Sequence, residues 1–313
     1  MRIAILDDYQ QVAVDLADWS MLGAEVQAFS EHFADGPRLV SVLSSFDVIV
    51  AMRERTPFPH EILEQLPALR LLVTTGMRNA SIDVEAARDL GVVVSGTRGL
   101  PYPTAELTFA LILALARGIV PQVLSVRSGG WQVGLGHDLF GSTLGVIGLG
   151  ELGTRVARFG TAFGMNVVAW SQNLSAERAK GVGVSAVTKE ELLEASDFVT
   201  IHLKLSERTH RLISSDELAL MKPTAYMINT SRGQIVDEDA LLSAVRGGVI
   251  AGAAIDVFDE EPLPPDHPFR YEPRIITTPH VGFVTRQTYE IFYQDAVDAI
   301  RAWQDGRPIR VLD

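Results

Sequence analysis

Hydrophobic positions in the first third of the chain fall in short, often β-branched runs: "RIAIL", "AEVQAF", "FDVIVAM", "LRLLVTT" and "GVVVSG". Stretches with helix-like spacing separate them. Such alternation predicts a mainly parallel sheet with helices packed on both faces. The pattern breaks at "GTRGLPYPT", residues 96–104, where glycine and two prolines mark a connection. A long apolar helix follows, with Thr104 as its expected N-cap. From Thr143 the alternation resumes with "TLGVIGLG", "NVVAWS", "FVTIHL", "AYMINTS", "VIAGAAIDVF" and "RIITTP", which predicts a second α/β sheet. Across Thr285–Trp303, the residues Ile291, Phe292, Ala296, Ala299, Ile300 and Trp303 recur near a helical period, so one amphipathic helix is expected. No longer repeat of the kind that builds solenoids is present.

The chain has 313 residues, more than the roughly 250–300 at which a single core stops growing, so two domains are expected. With 47% hydrophobic and 21% charged residues the composition is globular. A formal charge of −12, with no run of Lys and Arg, argues against nucleic acid or an anionic membrane surface as a partner. The absence of cysteine rules out disulfides, thiolate catalysis and zinc–thiolate sites. It is compatible with a reducing cytoplasm, the expected location. The start "MRIAILDDYQ" enters a strand-like run without the layout of a signal peptide. The longest apolar stretch, Leu107–Ala116, is too short to span a bilayer and reads as a buried helix.

The stretch "VIGLGELGTRVARFG", residues 146–160, places Gly148, Gly150 and Gly153 between a strand-like and a helix-like run. A dinucleotide site needs a tight strand-to-helix turn, backbone that a pyrophosphate can approach, and a helix N-terminus aimed at that charge. The three glycines, with Glu151 and Leu152 between them, stand where those tasks fall. Alone the motif also suits an ordinary tight turn. The following strand "MNVVAWS", at the right distance, favours the nucleotide reading. The acid expected about 20 residues on, which would hold the adenosine ribose, is missing. Ser171, Gln172 and Asn173 stand there instead.

Three polar residues lie at the ends of later predicted strands: Arg232 in "INTSRGQIVDE", Glu261 in "IDVFDEEPLP" and His280 in "ITTPHVG". Arg232 offers a fork suited to a carboxylate, and His280 a proton donor near neutral pH. Glu261 is suited to hold that imidazole and favour its protonated form. Taken singly, each has a plainer reading: a surface ion pair, a structural histidine, a solvated loop acid. Together, downstream of a cofactor turn, they make a coherent set. No metal site is expected, because Arg232 and a protonated His280 supply the electrophilic stabilisation a metal would give.

In this order "VIGLGELG", "NTSRGQIVDEDAL", "GAAIDVFDEEPLP" and "TPHVG" resemble the signatures of the D-isomer-specific 2-hydroxyacid dehydrogenase family, and the resemblance covers essentially the whole chain. It implies two doubly wound parallel-sheet α/β domains. A Rossmann-type cofactor domain, residues 99–284, would be inserted into a flavodoxin-like substrate domain, residues 1–98 and 285–313, with catalysis in the cleft. The implied reaction is reversible reduction of a 2-oxo acid to a D-2-hydroxy acid with NAD or NADP. Arg232 would bind the substrate carboxylate and carbonyl, His280 would protonate the carbonyl oxygen, and Glu261 would hold His280 protonated. Thr104, Thr230, Ser231, Asp256 and Gly282, with His280, would belong to the nicotinamide half. His202, Lys204 and Thr209 would support the adenosine half. A homodimer is implied, built on the helix that begins near Thr104, with Trp131 reaching the partner. Formate dehydrogenation, the nearest rival within the fold, uses Gln beside the His, and Glu261 argues against it. A nicotinamide-sensing corepressor or interaction protein is the alternative from another class.

The chain departs from the family pattern in places. In the substrate loop "TTGMRNASID", Arg78 replaces a glycine, and Ala80 and Ser81 replace an Asp-Asn pair. The loop, through Met77, Arg78 and Asn79, is still expected to meet the substrate. Arg53 and Arg78 either add positive charge for a further anionic group or pair with acids such as Glu54 and Asp83. Glu151 stands where Arg is common, and Lys204 where Pro is common. The missing ribose acid, with Lys204 and Arg178 as the nearby cations, implies weak discrimination between the two cofactors and a slight lean towards NADP.

Overall fold

The computed structural model describes residues 1–312. The chain divides into two compact units, residues 1–100 with the segment from Val284 onward, and Pro101–Phe283. In the smaller unit β1 (Arg2–Ile5), β2 (Glu25–Ala28), β3 (Val48–Ala51), β4 (Leu71–Thr74) and β5 (Val93–Gly96) form a parallel sheet in the order β2-β1-β3-β4-β5. This is the flavodoxin-like order, with its switch point between β1 and β3. Strands β3 and β4 are buried at every position, as continuous apolar runs require, whereas β2 lies at the edge and is largely exposed. The terminal helix, Arg286–Gln304, packs Phe292, Tyr293, Ala296 and Ile300 inward, and Thr285 caps it by accepting the Thr288 N–H. Past this helix the chain adds an extended segment against β5, with the Leu312 N–H donating to the Val94 carbonyl.

The larger unit contains β6 (Thr143–Ile147), β7 (Asn166–Trp170), β8 (Ser185–Ala186), β9 (Phe198–Ile201), β10 (Tyr226–Asn229), β11 (Gly252–Ile255) and β12 (Ile275–Thr277). They form a parallel sheet in the order β12-β11-β10-β9-β6-β7-β8. Successive side chains take opposite faces. Ile147, Val199, Met227 and Ile255 enter one apolar layer, and Val146, Phe198, Ile228 and Ala254 the other. Six of the seven strands coincide with the runs read from the sequence. The exception, β8, has two exposed residues and is too short to carry a periodic signal.

The expected N-cap at Thr104 is corrected by the structure. The apolar helix runs Pro103–Ala116, so Thr104 is its second residue, and Tyr102 takes the cap position without a side-chain bond. Proline, with φ already set and no N–H to satisfy, starts the helix one residue earlier. The apolar surface of this helix is largely covered within its own unit by Leu144, Val146 and Val156 among others. Uncovered apolar surface lies just beyond it. The helix Ile119–Arg127 buries no residue, and Trp131, Leu135 and Phe140 are 75%, 98% and 83% exposed. Among the described residues no single helix is long and apolar enough to cross a membrane; these two helices reach that length only jointly, across a 65° bend.

Candidate functional site

In the larger unit the strand order reverses between β6 and β9, whose C-terminal ends lead into Gly148 and His202. Ligands of open α/β sheets bind at such points. Gly148 has φ +99°, and a Cβ there would lie 2.6 Å from the His202 carbonyl oxygen. A Cβ on Gly153 would collide with the Gly148 carbonyl, whereas one on Gly150 would meet nothing within 4 Å. Gly148 therefore makes the turn, Gly153 lets the helix pack on it, and Gly150 leaves the approach open. The helix Glu151–Ala162 starts here. The N–H groups of Gly150, Glu151, Leu152 and Gly153 have no acceptor among the described residues, so they are available to an anion. Glu151 is largely exposed, and Arg155, one turn on, lies 3.5 Å from its carboxylate. These features fit a dinucleotide pyrophosphate.

A cavity of about 250 Å³ opens beyond β7 and β9, with Ser171, Gln172, Asn173, Arg178, Arg208 and Thr209 in its lining. No acid among the described residues lines it. Ser171 accepts the Leu149 N–H at 2.9 Å, and Arg178 donates to the Leu149 carbonyl at 3.1 Å, so both brace the glycine turn. Lys204, the cation expected from the sequence alongside Arg178, does not line the cavity, whereas Arg208 does. The Thr209 hydroxyl folds back on the Lys204 carbonyl at 2.7 Å and accepts the Ser206 N–H at 2.8 Å, closing a turn whose Ser206, Arg208 and Thr209 line the cavity. His202 is 3.0 Å from the Thr200 hydroxyl, and desolvation pushes its imidazole down to about 4. Its side chain does not line the cavity; its backbone shapes the turn at Gly148.

Thr230 is almost fully buried and lies 2.7 Å from the Thr108 hydroxyl, which itself donates to the Thr104 carbonyl at 2.8 Å. Because Thr108 has one proton, Thr230 is the donor in their bond and keeps its lone pairs for an incoming group. Thr108 was not singled out from the sequence, although its spacing of four from Thr104 places both on one helix face. Ser231 donates its hydroxyl to the Leu203 carbonyl. The side chain of Asn229 accepts the Ser231 N–H at 3.0 Å and donates to the Arg232 carbonyl at 2.9 Å, fixing the turn that carries Arg232.

Asp256, fully buried at the end of β11, accepts the Thr278 hydroxyl at 2.5 Å and the Val281 and Gly282 N–H groups at 2.9 Å each. Burial pushes its carboxyl up, against the pull of these donors and of His280. A Cβ on Gly282 would sit 3.1 to 3.2 Å from Thr104 and Asp256, so these three groups converge. Asp256 thereby clamps the 278–282 turn, in which His280 holds a left-handed φ of +51°. His280 Nδ1 lies 2.6 Å from Glu261 Oε2, and Glu261 Oε1 accepts the Phe258 N–H at 2.9 Å. Burial opposes the charge on Glu261, but His280, the Phe258 amide and the nearby Arg232 guanidinium prevail and hold its carboxyl below the usual range. Arg232 donates to the Ser231 carbonyl at 2.7 Å. The backbone after Arg232 passes against the loop that leads to Glu261, since a Cβ on Gly233 would collide with the Phe258 carbonyl.

In the smaller unit the loop after β4 has its own construction. Arg53 adopts φ +53°, its N–H donates to the Thr75 hydroxyl at 2.9 Å, and its guanidinium lies 3.7 Å from Glu54. A Cβ on Gly76 would collide with that guanidinium. The Asn79 amide donates to the Arg53 carbonyl at 2.6 Å and to Thr74 at 2.8 Å, so its side chain braces the loop expected to meet the substrate. Met77 and Arg78 are exposed, and Arg78 makes no ion pair among the described residues; Asp83 instead caps the helix Val84–Asp89.

The profile of the family "D-isomer specific 2-hydroxyacid dehydrogenase, NAD binding domain" matches residues 109–282. The chain belongs to the D-isomer specific 2-hydroxyacid dehydrogenase family. It is 42% identical to a glyoxylate reductase of Aeropyrum pernix over 257 residues, 79% of this chain and 77% of that protein. It is 36% identical to a D-3-phosphoglycerate dehydrogenase of Bacillus subtilis over 85% of this chain but 51% of that one, so it spans about half the length of that relative. A phosphoglycerate oxidoreductase of Vibrio cholerae superposes with a TM-score of 0.93 at 35% identity, over 98% of this chain and 99% of the other. The larger unit of this 2-hydroxyacid dehydrogenase is thus a nicotinamide-dinucleotide-binding domain. The match is to an NAD-binding domain and gives no support to the lean towards NADP read from the sequence.

Proposed function

We propose that the protein reduces a small 2-oxo acid to its D-2-hydroxy acid, and runs the reverse oxidation, through Arg232, Glu261 and His280. The observation that carries this reading is the 2.6 Å contact from Glu261 to His280 Nδ1 in a loop adjoining Arg232. With Nδ1–H engaged by the carboxylate, Nε2 is the ring nitrogen left to exchange a proton with substrate. Arg232 takes the carboxylate and polarises the neighbouring carbonyl. As negative charge grows on the carbonyl oxygen, His280 delivers a proton to it, and Glu261 steadies the ring before and after the transfer. A bound nicotinamide dinucleotide would supply the hydride to the carbonyl carbon in reduction and take it back from that carbon in oxidation. The glycine turn and the Glu151–Ala162 N-terminus would hold its pyrophosphate, the cavity beside Ser171 its adenosine, and Thr230 and Asp256 its nicotinamide half.

Both NADH and NADPH are proposed as cofactors, because no acid among the described residues lines the cavity to reject a 2′-phosphate. The names of the relatives point to small unbranched 2-oxo acids such as glyoxylate. The exposed Trp131, Leu135 and Phe140 suit a second copy of the chain, so a homodimer is proposed, and sedimentation at micromolar concentration tests it. The decisive experiment is turnover of glyoxylate, hydroxypyruvate and 3-phosphohydroxypyruvate with each cofactor. Nucleotide binding without turnover of any 2-oxo acid would overturn the enzymatic reading in favour of a nicotinamide-sensing protein.

A further inference from the structure

Two consecutive backbone amides in the loop after β11 are taken by two different carboxylates. The Phe258 N–H donates to Glu261 Oε1 at 2.9 Å, and the Asp259 N–H donates to Glu238 Oε1 at 3.0 Å. Glu238 is the first residue of the helix Glu238–Gly247, and its carboxylate is engaged by the Asp259 N–H and by His267. Its other oxygen lies 3.2 Å from His267 Nε2, and the two side chains are 17% and 18% exposed. His267 Nδ1 accepts the Phe269 N–H at 3.3 Å, which leaves the ring proton on Nε2 and makes His267 a donor to Glu238. The rings of Phe258 and Phe269 flank the imidazole at 6.5 and 4.9 Å.

We infer that Glu238, held in place by His267, is a positioning residue that fixes the 258–261 loop and so aims Glu261 at His280. A peptide that loses its grip on Glu238 turns at Asp259, and the adjoining Phe258 N–H, which orients the Glu261 carboxylate, turns with it. The loop cannot settle inward instead, because its backbone already rests on Gly233. The inference depends on the acid–base role proposed above for Glu261 and His280. The charged and titratable groups around this chain of contacts are Asp259 and His267 facing Glu238, and Arg211, His210 and Asp237 facing Asp259. Arg232 faces Glu261, and Asp256 faces His280.

The test is Glu238→Ala in the full-length protein, alone and combined with Glu261→Gln. Reduction should slow about tenfold in kcat, with KM for the nucleotide within about twofold, and the alkaline limb of the pH profile should move at least about half a unit lower. In the Glu261→Gln background the same change should move the limb no further. Proton NMR of the His280 ring C–H signals, with no substrate present, should show the same displacement. That measurement stands even if no 2-oxo acid is turned over, which separates failure of this inference from failure of the enzymatic reading. Should Glu238→Ala not fold, His267→Gln, which leaves Glu238 in place but loosened, should move both readouts in the same direction by a smaller amount. A folded variant that loses only thermal stability, with the His280 titration and the pH limb unmoved, overturns the proposal. So does an additive limb shift in the double variant.

Discussion

Glu261 Oε2 lies 2.6 Å from His280 Nδ1, while the other oxygen of that carboxylate is held by the Phe258 N–H. The carboxylate is thus fixed at one end by backbone and can orient the imidazole at the other. Holding the ring in this way removes the rotation that would otherwise have to be frozen at each turnover. In the proposed mechanism it leaves Nε2 as the nitrogen that would exchange a proton, which makes the roles of the two residues separable.

His280→Ala should lower kcat for reduction by about 10² to 10⁴-fold, the usual span for loss of a positioned general acid. Nucleotide affinity, measured by fluorescence titration with NADH, should change little, because the glycine turn and the cavity proposed for the pyrophosphate and adenosine do not include His280. An unchanged kcat would remove His280 from the mechanism.

Glu261→Gln keeps an oxygen for the Nδ1–H but removes the negative charge. Only the protonated ring feels that attraction, so its loss releases the proton at lower pH. Because reduction by the proposed route needs the protonated ring, the alkaline limb of kcat/KM should shift downward. The acidic side has the opposite sign. The wild-type Glu261 carboxyl is held below its usual range, so the pair persists as pH falls past the point where an ordinary glutamate would protonate. An unmoved profile would show that Glu261 does not act on the acid.

The strands were legible because burial on both faces leaves an unbroken apolar run, as at Val48–Ala51 and Leu71–Thr74. The glycine turn was legible because only glycine fits at 148 and 153, and Arg232, Glu261 and His280 because they stand in strings that follow strand ends. Contacts that only the fold brings together were not legible. Asp295 is a buried acid in a helix whose sequence reads as merely amphipathic; only the fold brings the Arg98 guanidinium to it at 2.8 Å, from 197 positions away. Arg208 was missed for a similar reason: it sits on an irregular loop, in the turn closed by Thr209, and no motif marks that it and not Lys204 lines the cavity.

Glu217 gives a pH test of stability that is independent of catalysis. Burial opposes its charge, but the Lys189 ammonium at 2.6 Å and the Ser214 hydroxyl and N–H bring its carboxyl down to about 2. A group lowered on folding contributes its stability in full above its unfolded value, near 4.5, and loses it as pH falls towards 2. Glu217→Gln should therefore reduce Tm at neutral pH, by about 2–4 °C for each kcal/mol lost. The gap to wild type should close progressively below pH 4.5. A gap that stays constant across that range would mean the ion pair contributes nothing to the effect.

Cofactor choice rests on Ser171 and Arg208. An acid at position 171 would accept ribose hydroxyls and repel a 2′-phosphate, a charge-assisted contact of roughly 1.5 to 3 kcal/mol. Ser171 instead spends an acceptor on the Leu149 N–H, and Arg208 is in a lining that, among the described residues, holds no acid. Arg178 lends part of its guanidinium to the Leu149 carbonyl, which limits what it can add. The ratio of kcat/KM for NADH and NADPH should accordingly stay within about tenfold of unity, or about 1.4 kcal/mol. Ser171→Asp should raise the preference for NADH by about ten- to a hundredfold, since the carboxylate can still accept the Leu149 N–H while adding the missing charge. Arg208→Ala should lower kcat/KM with NADPH about tenfold and leave NADH within about twofold. Steady-state kinetics with both cofactors at one saturating 2-oxo acid checks all three. A wild-type preference for NADH above about a hundredfold, roughly 2.7 kcal/mol, would show that some other group has taken over the work of the missing acid.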